Sequence, residues 1–395
     1  LANTLILTDT RWWQDMQHFF DSPIQKELNG IGKFDWLLSP SKRLGLQALY
    51  SLKRWRDYEF SWRYNLNGLP SRRRDSYRIA LSWTHTISEK TFYTTRLSFY
   101  NLYSEIGENR YIDYNAEPYD YDFFMLYVIS GKRNWQMELN QKDLMLKSEI
   151  TSQIHPYHLL KSGFELKQYD ISSDVIKLEP QMTYFGKPLI YEPMLNYSTQ
   201  YHYYPRSGSF YIQDKLEAGK NKSVVTLGLR FDFLDPRTSR PAVELIPVTE
   251  NEYEQEVTDY VKAKVQYHLS PRIGIAFPMT DKSFFFVNYG HYFQYPLFEY
   301  LYSGLNNVNF RNGVNVLRGN PNLLAEKTRA WEISARYNFA ENFVGTLTYF
   351  NKETYDQIDT KTFVPSNSRI AGDYGFAEYV NNPYANASGF ELVIT

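Results

Sequence analysis

The chain has 395 residues and a formal net charge of -1, and it combines 17% aromatic residues with a mean hydropathy of -0.52. This charge gives no global attraction to nucleic acid or acidic substrates, and the absence of cysteine excludes disulfides and thiolate chemistry. A transmembrane helix requires an apolar run of about 18 to 20 residues. The sequence has no such run, so it predicts no transmembrane helix. An aromatic-rich yet hydrophilic composition is instead typical of a transmembrane β-barrel, which has aromatic girdles and a polar interior.

The side chains follow the pattern of amphipathic strands. Apolar residues occupy every second position in the segments 77–84, 225–233 and 331–339, as at Leu227 and Leu229 with Gly228 between them. A period of two predicts strands with one apolar and one polar face. In a membrane barrel the apolar face contacts lipid and the polar face lines the lumen, although a soluble β-sandwich would show the same pattern.

Short and long connections alternate along the chain. We predict tight turns at 39–42, 88–91, 155–158, 219–222, 280–282 and 340–342, and long polar connections at 57–71, 104–121, 172–197, 235–261, 296–327 and 356–387. Tight turns at one end and long loops at the other are typical of outer-membrane barrels. With partial strands at 3–8 and 389–395, the sequence predicts an all-β fold of roughly 14 antiparallel strands.

Both ends of the chain resemble strands. No signal peptide precedes the strand-like run after Leu1, and the residues from Gly389 to Thr395 resemble the start of another strand. We therefore expect residues 1–395 to form one partial barrel domain that lacks both ends of the natural protein. The absence of a fixed-length repeat argues against a propeller or solenoid.

From Phe210 onward the sequence resembles the barrel of TonB-dependent receptors, especially the branch with a carboxypeptidase-regulatory-like N-terminal domain. The matching phrases are YIQDK at 211–215, GLRFDF at 228–233, LSPRIG at 269–274, NYGHYFQ at 288–294, GNPNL at 319–323 and GFE at 389–391. Earlier in the chain the best match is HLLKSGFELK at 158–167. One departure is Leu324-Ala325, where the family signature more often has a Lys-Pro pair.

The resemblance implies an outer-membrane barrel of about 22 strands closed by an N-terminal plug, of which this chain would hold roughly 14. It also implies import driven by the TonB complex through the missing plug region, in a Gram-negative bacterium. Outer-membrane lipid, lipopolysaccharide and a surface lipoprotein are the other expected partners. No nucleic-acid partner and no cofactor are expected.

Metal-binding patterns are weak. His155 and His158 lie in a predicted turn and lack a third ligand, so a polar hairpin is favoured over a zinc site. An acidic run occurs in a predicted loop, at Glu250, Glu252, Glu254, Glu256 and Asp259. Its spacing differs from that of an EF-hand, so a solvated loop is favoured over a calcium site.

A basic cluster interleaved with Trp and Tyr surrounds the connection at 57–71. Its arginines, next to Lys53, are Arg54, Arg56, Arg63, Arg72, Arg73 and Arg74. Guanidinium groups bind phosphate bidentately, so we predict contacts with lipopolysaccharide. A solvated rim without a ligand is the first alternative, and nucleic-acid binding is less favoured.

The connection at 295–318 combines aromatic residues with asparagines. We predict ligand contacts at Tyr295, Phe298, Tyr300 and Tyr302, with an aromatic girdle beside a polar loop as the simpler alternative. Catalytic patterns such as Gly-x-Ser-x-Gly, a phosphate loop or His-Glu-x-x-His are missing from the sequence, and we predict no enzyme activity.

Three functional hypotheses follow. The leading one is a TonB-dependent receptor that takes up an external ligand in an energy-coupled way. The second is a structural barrel subunit of a larger outer-membrane assembly, which binds a surface lipoprotein or a secretion component. The third is a soluble β-sandwich or adhesin.

Overall fold

The computed structural model describes residues 25–107, 119–122, 124–179, 195–196, 199–218, 223–249, 252–305, 316–340, 343–363 and 376–395. Its strands are β1 (Gln25–Ser39), β2 (Lys42–Arg56), β3 (Ser71–Ser88), β4 (Thr91–Ile106), β5 (Asp120–Asp122), β6 (Tyr127–Ser130), β7 (Asn134–His155), β8 (His158–Glu179), β9 (Leu195–Asn196), β10 (Thr199–Tyr203), β11 (Arg206–Ala218), β12 (Ser223–Asp235), β13 (Ser239–Thr249), β14 (Glu252–Lys262), β15 (Gln266–Thr280), β16 (Ser283–Gln294), β17 (Val316–Arg318), β18 (Glu326–Ala340), β19 (Phe343–Phe363) and β20 (Phe376–Ile394). Two 3-10 helices, Phe60–Trp62 and Leu66–Gly68, and one α-helix, α1 (Phe298–Tyr302), lie in connections. No helix among these residues is long and apolar enough to cross a membrane.

The long strands form one curved antiparallel sheet, the wall of the barrel. Each pairs with the next long strand along the chain, in the order β1-β2-β3-β4-β7-β8-β11-β12-β15-β16-β18-β19-β20. The short strands β9 and β10 extend the pairing of β8, and β17 pairs in parallel with β20. Hairpins β5-β6 and β13-β14 are separate from the wall. The predicted antiparallel barrel architecture is thus confirmed, and the total of about 22 strands stays a prediction.

All six predicted tight turns join paired strands, at what we call the turn end of the wall. These hairpins are β1-β2, β3-β4, β7-β8, β11-β12, β15-β16 and β18-β19. The turn residues 219–222 and 341–342 lie outside the described residues. The long connections all leave from the opposite end, the loop end.

The predicted limits of several long connections were wrong, because strands continue into them. Strand β8 runs to Glu179, β19 runs to Phe363, and a hairpin of β13 and β14 occupies most of the connection at 235–261. At about 3.3 Å per residue, the 22 residues of β8 exceed the roughly 30 Å of a hydrocarbon core. Beyond that core no lipid requires an apolar face, so backbone pairing continues without the alternation that identified the strands.

The two predicted terminal strands have different outcomes. The strand expected at 389–395 is the last part of β20, which begins earlier at Phe376. The strand expected at 3–8 lies outside the described residues.

The wall has one apolar and one polar face. A row of leucines crosses five strands through the pairs of Leu46 with Leu81, Leu81 with Leu97, Leu97 with Leu146 and Leu146 with Leu166. These side chains are 37 to 48% exposed, which suits contact with lipid tails. We call this side of the sheet the outer face.

The opposite side of the sheet, which we call the inner face, carries most of the polar side chains of the strands. The neighbouring row contains Gln47, Ala80, Ser98, Met145 and Lys167. Leu46 and Gln47 on β2, like Leu97 and Ser98 on β4, therefore face opposite sides of the sheet, as in a membrane barrel with a wet interior.

We expect Leu229→Arg, on the outer face of β12 opposite Ile212, to destabilise the folded barrel by about 2–4 kcal/mol, because a guanidinium group in contact with lipid tails is poorly solvated. Thr226→Arg, on the inner face of the same strand, is the matched control and should change stability little. Denaturant unfolding in lipid vesicles measures both. Equal destabilisation by the two variants would contradict the assignment of the faces.

Candidate ligand-binding surfaces at the loop end

The connection between β16 and β18 folds inward and packs against the inner face. Helix α1 places Leu301 and Tyr302 in a hydrophobic cluster with Leu323, and all three side chains are completely buried. The wall contributes Ile171 and Leu234 to the same cluster. We call this cluster the loop-end core.

Aromatic contacts tie helix α1 to distant strands. The ring of Tyr302 stacks on that of Tyr203 with centroids 4.5 Å apart, and Tyr300 contacts Tyr379 of β20 at 4.6 Å. The hydroxyl of Tyr302 donates to the carbonyl oxygen of Pro236 at 2.8 Å. Burial raises the pKa of Tyr302, so its phenol stays protonated and keeps this hydrogen bond.

Close backbone approach fixes the end of the segment. The amide of Gly319 donates to the carbonyl of Ser303 at 2.6 Å, and that of Asn320 donates to the carbonyl of Tyr300 at 2.8 Å. A Cβ atom at Gly319 would lie 2.8 Å from the Ser303 oxygen, so only glycine fits there. This is a physical reason for the glycine of the GNPNL phrase.

The four aromatic residues predicted to contact ligand all lie at this place, and their exposure differs. Tyr302 is completely buried in the loop-end core, so it supports the segment and presents no surface to a ligand. Tyr295, Phe298 and Tyr300 pack on the same core and are partly buried. Ligand contact by these three stays a prediction.

A partly buried ion pair joins the β13-β14 hairpin to β20. Both terminal nitrogens of Arg240 bind the carboxylate of Glu378, at 2.6 and 2.9 Å. A buried guanidinium, that of Arg318 in β17, lies nearby, and burial together with Arg240 lowers its pKa to about 10. Arg318 remains charged at neutral pH, and the negative charge of Glu378 favours its charged form.

A cleft opens where β15 and β16 separate. Their pairing extends only as far as Arg272 and Gly290, although both strands continue. The cleft has a volume of about 500 Å³, and His268, Lys327 and Arg329 contribute to its lining. This volume is in the range of small-molecule sites.

Two polar groups next to this cleft lack partners among the described residues. They are the Nε2 atom of His268 and the hydroxyl of Tyr295, both buried. Their rings lie 5.6 Å apart. Buried polar atoms are usually hydrogen-bonded, so these two are free to bind a polar ligand group or water.

Two other loops form a separate unit around Trp62. Trp62, Leu69 and Val128 are buried together, and Arg133 lies over the indole of Trp62. Gly131 adopts a φ of +93°, which glycine tolerates best. We call this unit, residues 57–70 with 119–122 and 124–133, the Trp62 module.

The tip of the Trp62 module presents apolar side chains to solvent. Phe60, Tyr64, Phe124 and Met125 are 60 to 84% exposed. The guanidinium of Arg63 lies over the rings of Phe60 and Tyr64, and it donates to the carbonyl of Met125. Arg63 therefore holds the two loops together.

The strand register divides the predicted basic cluster between the two faces. Arg54 and Arg73 pair on the outer face, whereas Lys53 and Arg74 pair on the inner face. Arg72 also points inward. It binds Asp57 at 2.6 Å. Arg56 donates to the Asn67 side chain at 2.6 Å.

The weak metal patterns find no support in the geometry of the described residues. His155 and His158 have ring centroids 6.0 Å apart, and His158 Nδ1 lies 2.7 Å from a carboxylate oxygen of Asp214. No group of three or more His, Asp or Glu side chains is placed to hold a metal ion in the described part of the chain. Of the acidic run, Glu250 and the side chains of Glu252, Glu254 and Glu256 lie outside the described residues.

Comparison with protein families identifies the fold. Residues 13–395 match the model described as TonB dependent receptor-like, beta-barrel. The chain belongs to this family. Comparison with curated protein sequences found no match.

Solved structures of similar fold are receptors and transporters. The Serratia marcescens hemophore receptor HasR, in complex with its hemophore HasA and heme, has a TM-score of 0.63 and 13% identity, covering 94% of this chain and 52% of that one. The ferric enterobactin receptor PfeA of Pseudomonas aeruginosa has a TM-score of 0.60 and 16% identity, covering 94% and 49%. The outer membrane transporter YddB of Escherichia coli has a TM-score of 0.61 and 14% identity, covering 94% and 45%. The chain spans about half the length of these proteins.

Several features of this TonB-dependent receptor barrel had no signal in the sequence. The Arg240–Glu378 pair joins residues 138 positions apart. The sequence has 43 lysines and arginines, and nothing in it marks Arg240 as the partner of Glu378. The Trp62 module combines two connections that the sequence treats as separate polar loops. By contrast, the sequence could have predicted how the basic cluster divides between the outer and inner faces, because successive residues of a strand face opposite sides of the sheet.

We expect Tyr302→Ala to release the inward segment of this TonB-dependent receptor barrel, because removing a buried aromatic ring costs about 3–5 kcal/mol. Tyr302→Phe should cost less, about 1–3 kcal/mol, since it leaves the Pro236 carbonyl without a donor. Hydrogen exchange of residues 296–305, followed by mass spectrometry, measures the release. Glu299→Ala, on the exposed side of α1, is the control, and equal exchange in all three variants would contradict the loop-end core.

Proposed function

We propose that this barrel is the membrane domain of an outer-membrane TonB-dependent receptor that binds an external ligand at the loop end and admits it to the periplasm. The observation that carries this proposal is the inward connection packed on a polar inner face. A barrel that only anchors a protein has no need of a loop-end core built across β8, β10, β12, β19 and β20. In this proposal the loop end is extracellular and the turn end periplasmic.

The inward connection and the neighbouring cleft supply suitable ligand groups. Tyr295, Phe298 and Tyr300 offer aromatic surface, and His268 offers an unpaired ring nitrogen. Convergence of aromatic and polar groups around a cavity is typical of ligand sites. Import requires a plug and a TonB-contacting segment, which we place in the rest of the protein, beyond residues 1–395. We also propose the branch with a carboxypeptidase-regulatory-like domain, which the sequence phrases support.

Lipopolysaccharide contact is proposed for the outer face only. Lys26, Arg54 and Arg73 lie in one row there, through the pairs of Lys26 with Arg54 and of Arg54 with Arg73. Arg54 is exposed, and on the outer face Leu28 lies one position closer to the turn end and Tyr50 two positions closer. Cations just above an apolar belt are placed to bind lipid phosphates. The inward direction of Arg72 and Arg74 favours a different role for those two.

A second candidate function is that of a barrel subunit which holds a surface lipoprotein or a secretion component. The exposed apolar tip of the Trp62 module favours it. Four large apolar side chains at one tip are a feature of protein interaction sites. Leu126 beside them has a φ of +53°, a strained conformation for a leucine.

The receptor function is tested by growth of a strain that lacks the complete gene. We expect slower growth on one nutrient source supplied at a limiting concentration, because diffusion alone does not replace energy-coupled uptake. Complementation with the wild-type gene is the control. Normal growth on every source, together with co-purification of a surface lipoprotein that Phe60→Ser/Phe124→Ser abolishes, would support the second candidate in place of the first.

We expect Arg54→Gln to reduce the amount of lipopolysaccharide that co-purifies with the detergent-extracted barrel, because one phosphate-binding group is lost from the outer row. Arg74→Gln removes the same charge from the inner face of the same hairpin and should leave that amount unchanged. Phosphate analysis of the purified protein measures the amount of bound lipopolysaccharide. An equal reduction in both variants would contradict the assignment of the outer row.

A further inference from the structure

Two tryptophans on the inner face are each shared by two cations. Lys53 Nζ and the Arg74 guanidinium lie 5.2 and 5.7 Å from the ring centre of Trp55. Arg72 and Lys177 lie 4.9 and 5.2 Å from that of Trp135. The four cations form one group at the loop end of β2, β3, β7 and β8, which we call the inner cationic cluster.

The strand register places like charges directly opposite each other. Lys53 pairs with Arg74 across β2 and β3, an arrangement that destabilises a sheet. The indole of Trp55 only partly offsets this repulsion. Such a violation of a local rule is expected at functional sites.

Among the described residues, carboxylates do not neutralise Lys53 and Arg74. Asp57 binds Arg72 at 2.6 Å and accepts from the Trp55 indole. Glu27 stands opposite Lys53 on β1, but its oxygens accept from the amides of Gln25 and Asn29. Among the described residues, neither Lys53 nor Arg74 has a carboxylate within ion-pair distance. Within the described part of the chain, the directly opposed pair Lys53 and Arg74 is therefore not neutralised.

Two further observations point to a ligand. The indole N–H of Trp135 is buried and has no acceptor among the described residues, although buried donors are normally satisfied. One inner-face row closer to the turn end, Ser51 and Ser76 belong to the lining of a cavity of about 610 Å³, which also includes Arg78 and Lys167. A ligand that fills this cavity reaches the cluster with one end.

We propose that Lys53 and Arg74 bind an oxyanion group, a sulfate, phosphate or carboxylate, of the imported solute. This inference rests on the proposed receptor function and adds the ligand class, an anionic solute with an uncharged polar body. The oxyanion lies between the two side chains and relieves their repulsion, while the body occupies the cavity lined by Ser51 and Ser76. Trp55 keeps both cations in position.

The source of the oxyanion follows from the direction of the side chains. Lipid phosphates reach the outer face, where Arg54 and Arg73 point. The inner face contacts the lumen, so only a solute that enters the barrel meets Lys53 and Arg74. The two faces of one hairpin therefore provide matched variants.

The test uses the complete receptor in detergent and two probes with the same sugar body, glucose 6-sulfate and glucose. Calorimetry should show binding of the sulfated sugar and weak or undetectable binding of glucose. We expect Lys53→Gln and Arg74→Gln each to weaken binding of the sulfated sugar by roughly tenfold or more, since each removes a charge-assisted contact. Arg74→Lys should keep most of the affinity, because it keeps the charge. Arg54→Gln on the outer face should keep the wild-type affinity.

Heat-modifiable migration on a gel shows that each variant is folded. Wild-type affinity in Lys53→Gln and Arg74→Gln would overturn the proposal, as would an equal loss in Arg54→Gln. A loss of lipopolysaccharide from Arg74→Gln without a change in sugar binding would overturn it in favour of a lipid site. Equilibrium binding requires no TonB complex, so a failed growth test would refute the receptor function without affecting this result.

Discussion

The constraint on which this structure depends is the absence of hydrogen-bond partners in lipid. Every backbone amide and carbonyl inside the hydrocarbon region must pair within the protein. Between β1 and β20 the chain satisfies this with one antiparallel ladder in which each long strand pairs with the next along the sequence. Because the backbone supplies the cohesion, side chains of the wall need not form a buried core. The outer residues suit lipid, and the inner residues are free for other tasks.

The loop end follows different physics. There the chain is surrounded by water, and it forms conventional buried clusters around Tyr302 and Trp62. These clusters need tight packing, glycines at close approaches and a partly buried ion pair between Arg240 and Glu378. A partly buried pair of this kind adds little net stability but penalises the loss of either partner, so it favours one arrangement of the loops over others. Positions suited to ligand binding occur where the lipid-embedded wall meets the water-exposed loop end.

The sequence was informative about the wall and much less so about the loops. Alternation over residues such as Val225 to Phe233 predicted strand faces correctly, because a bilayer imposes a strict periodic demand on side chains. The extension of β8 to Glu179 escaped prediction, since that demand ends where the strand leaves the lipid. The completely buried position of Tyr302 also escaped it, because an aromatic residue in a polar loop has the same local pattern whether it meets ligand, lipid or core. Tertiary contacts between distant segments decide which of these three environments the residue has. The periodicity of a single sequence gives no information about such contacts.

The ion pair between Arg240 and Glu378 also sets an order of assembly. Wall strands pair with sequence neighbours, so each hairpin can join the sheet as soon as it exists. Arg240 binds a partner 138 residues later in the chain, and the ring of Tyr300 contacts Tyr379 of β20. Neither contact can form before β20 has joined the sheet. If the strands pair in chain order, the contacts that join the β13-β14 hairpin and the inward segment to β20 are among the last to form. Their formation therefore depends on the correct placement of β20.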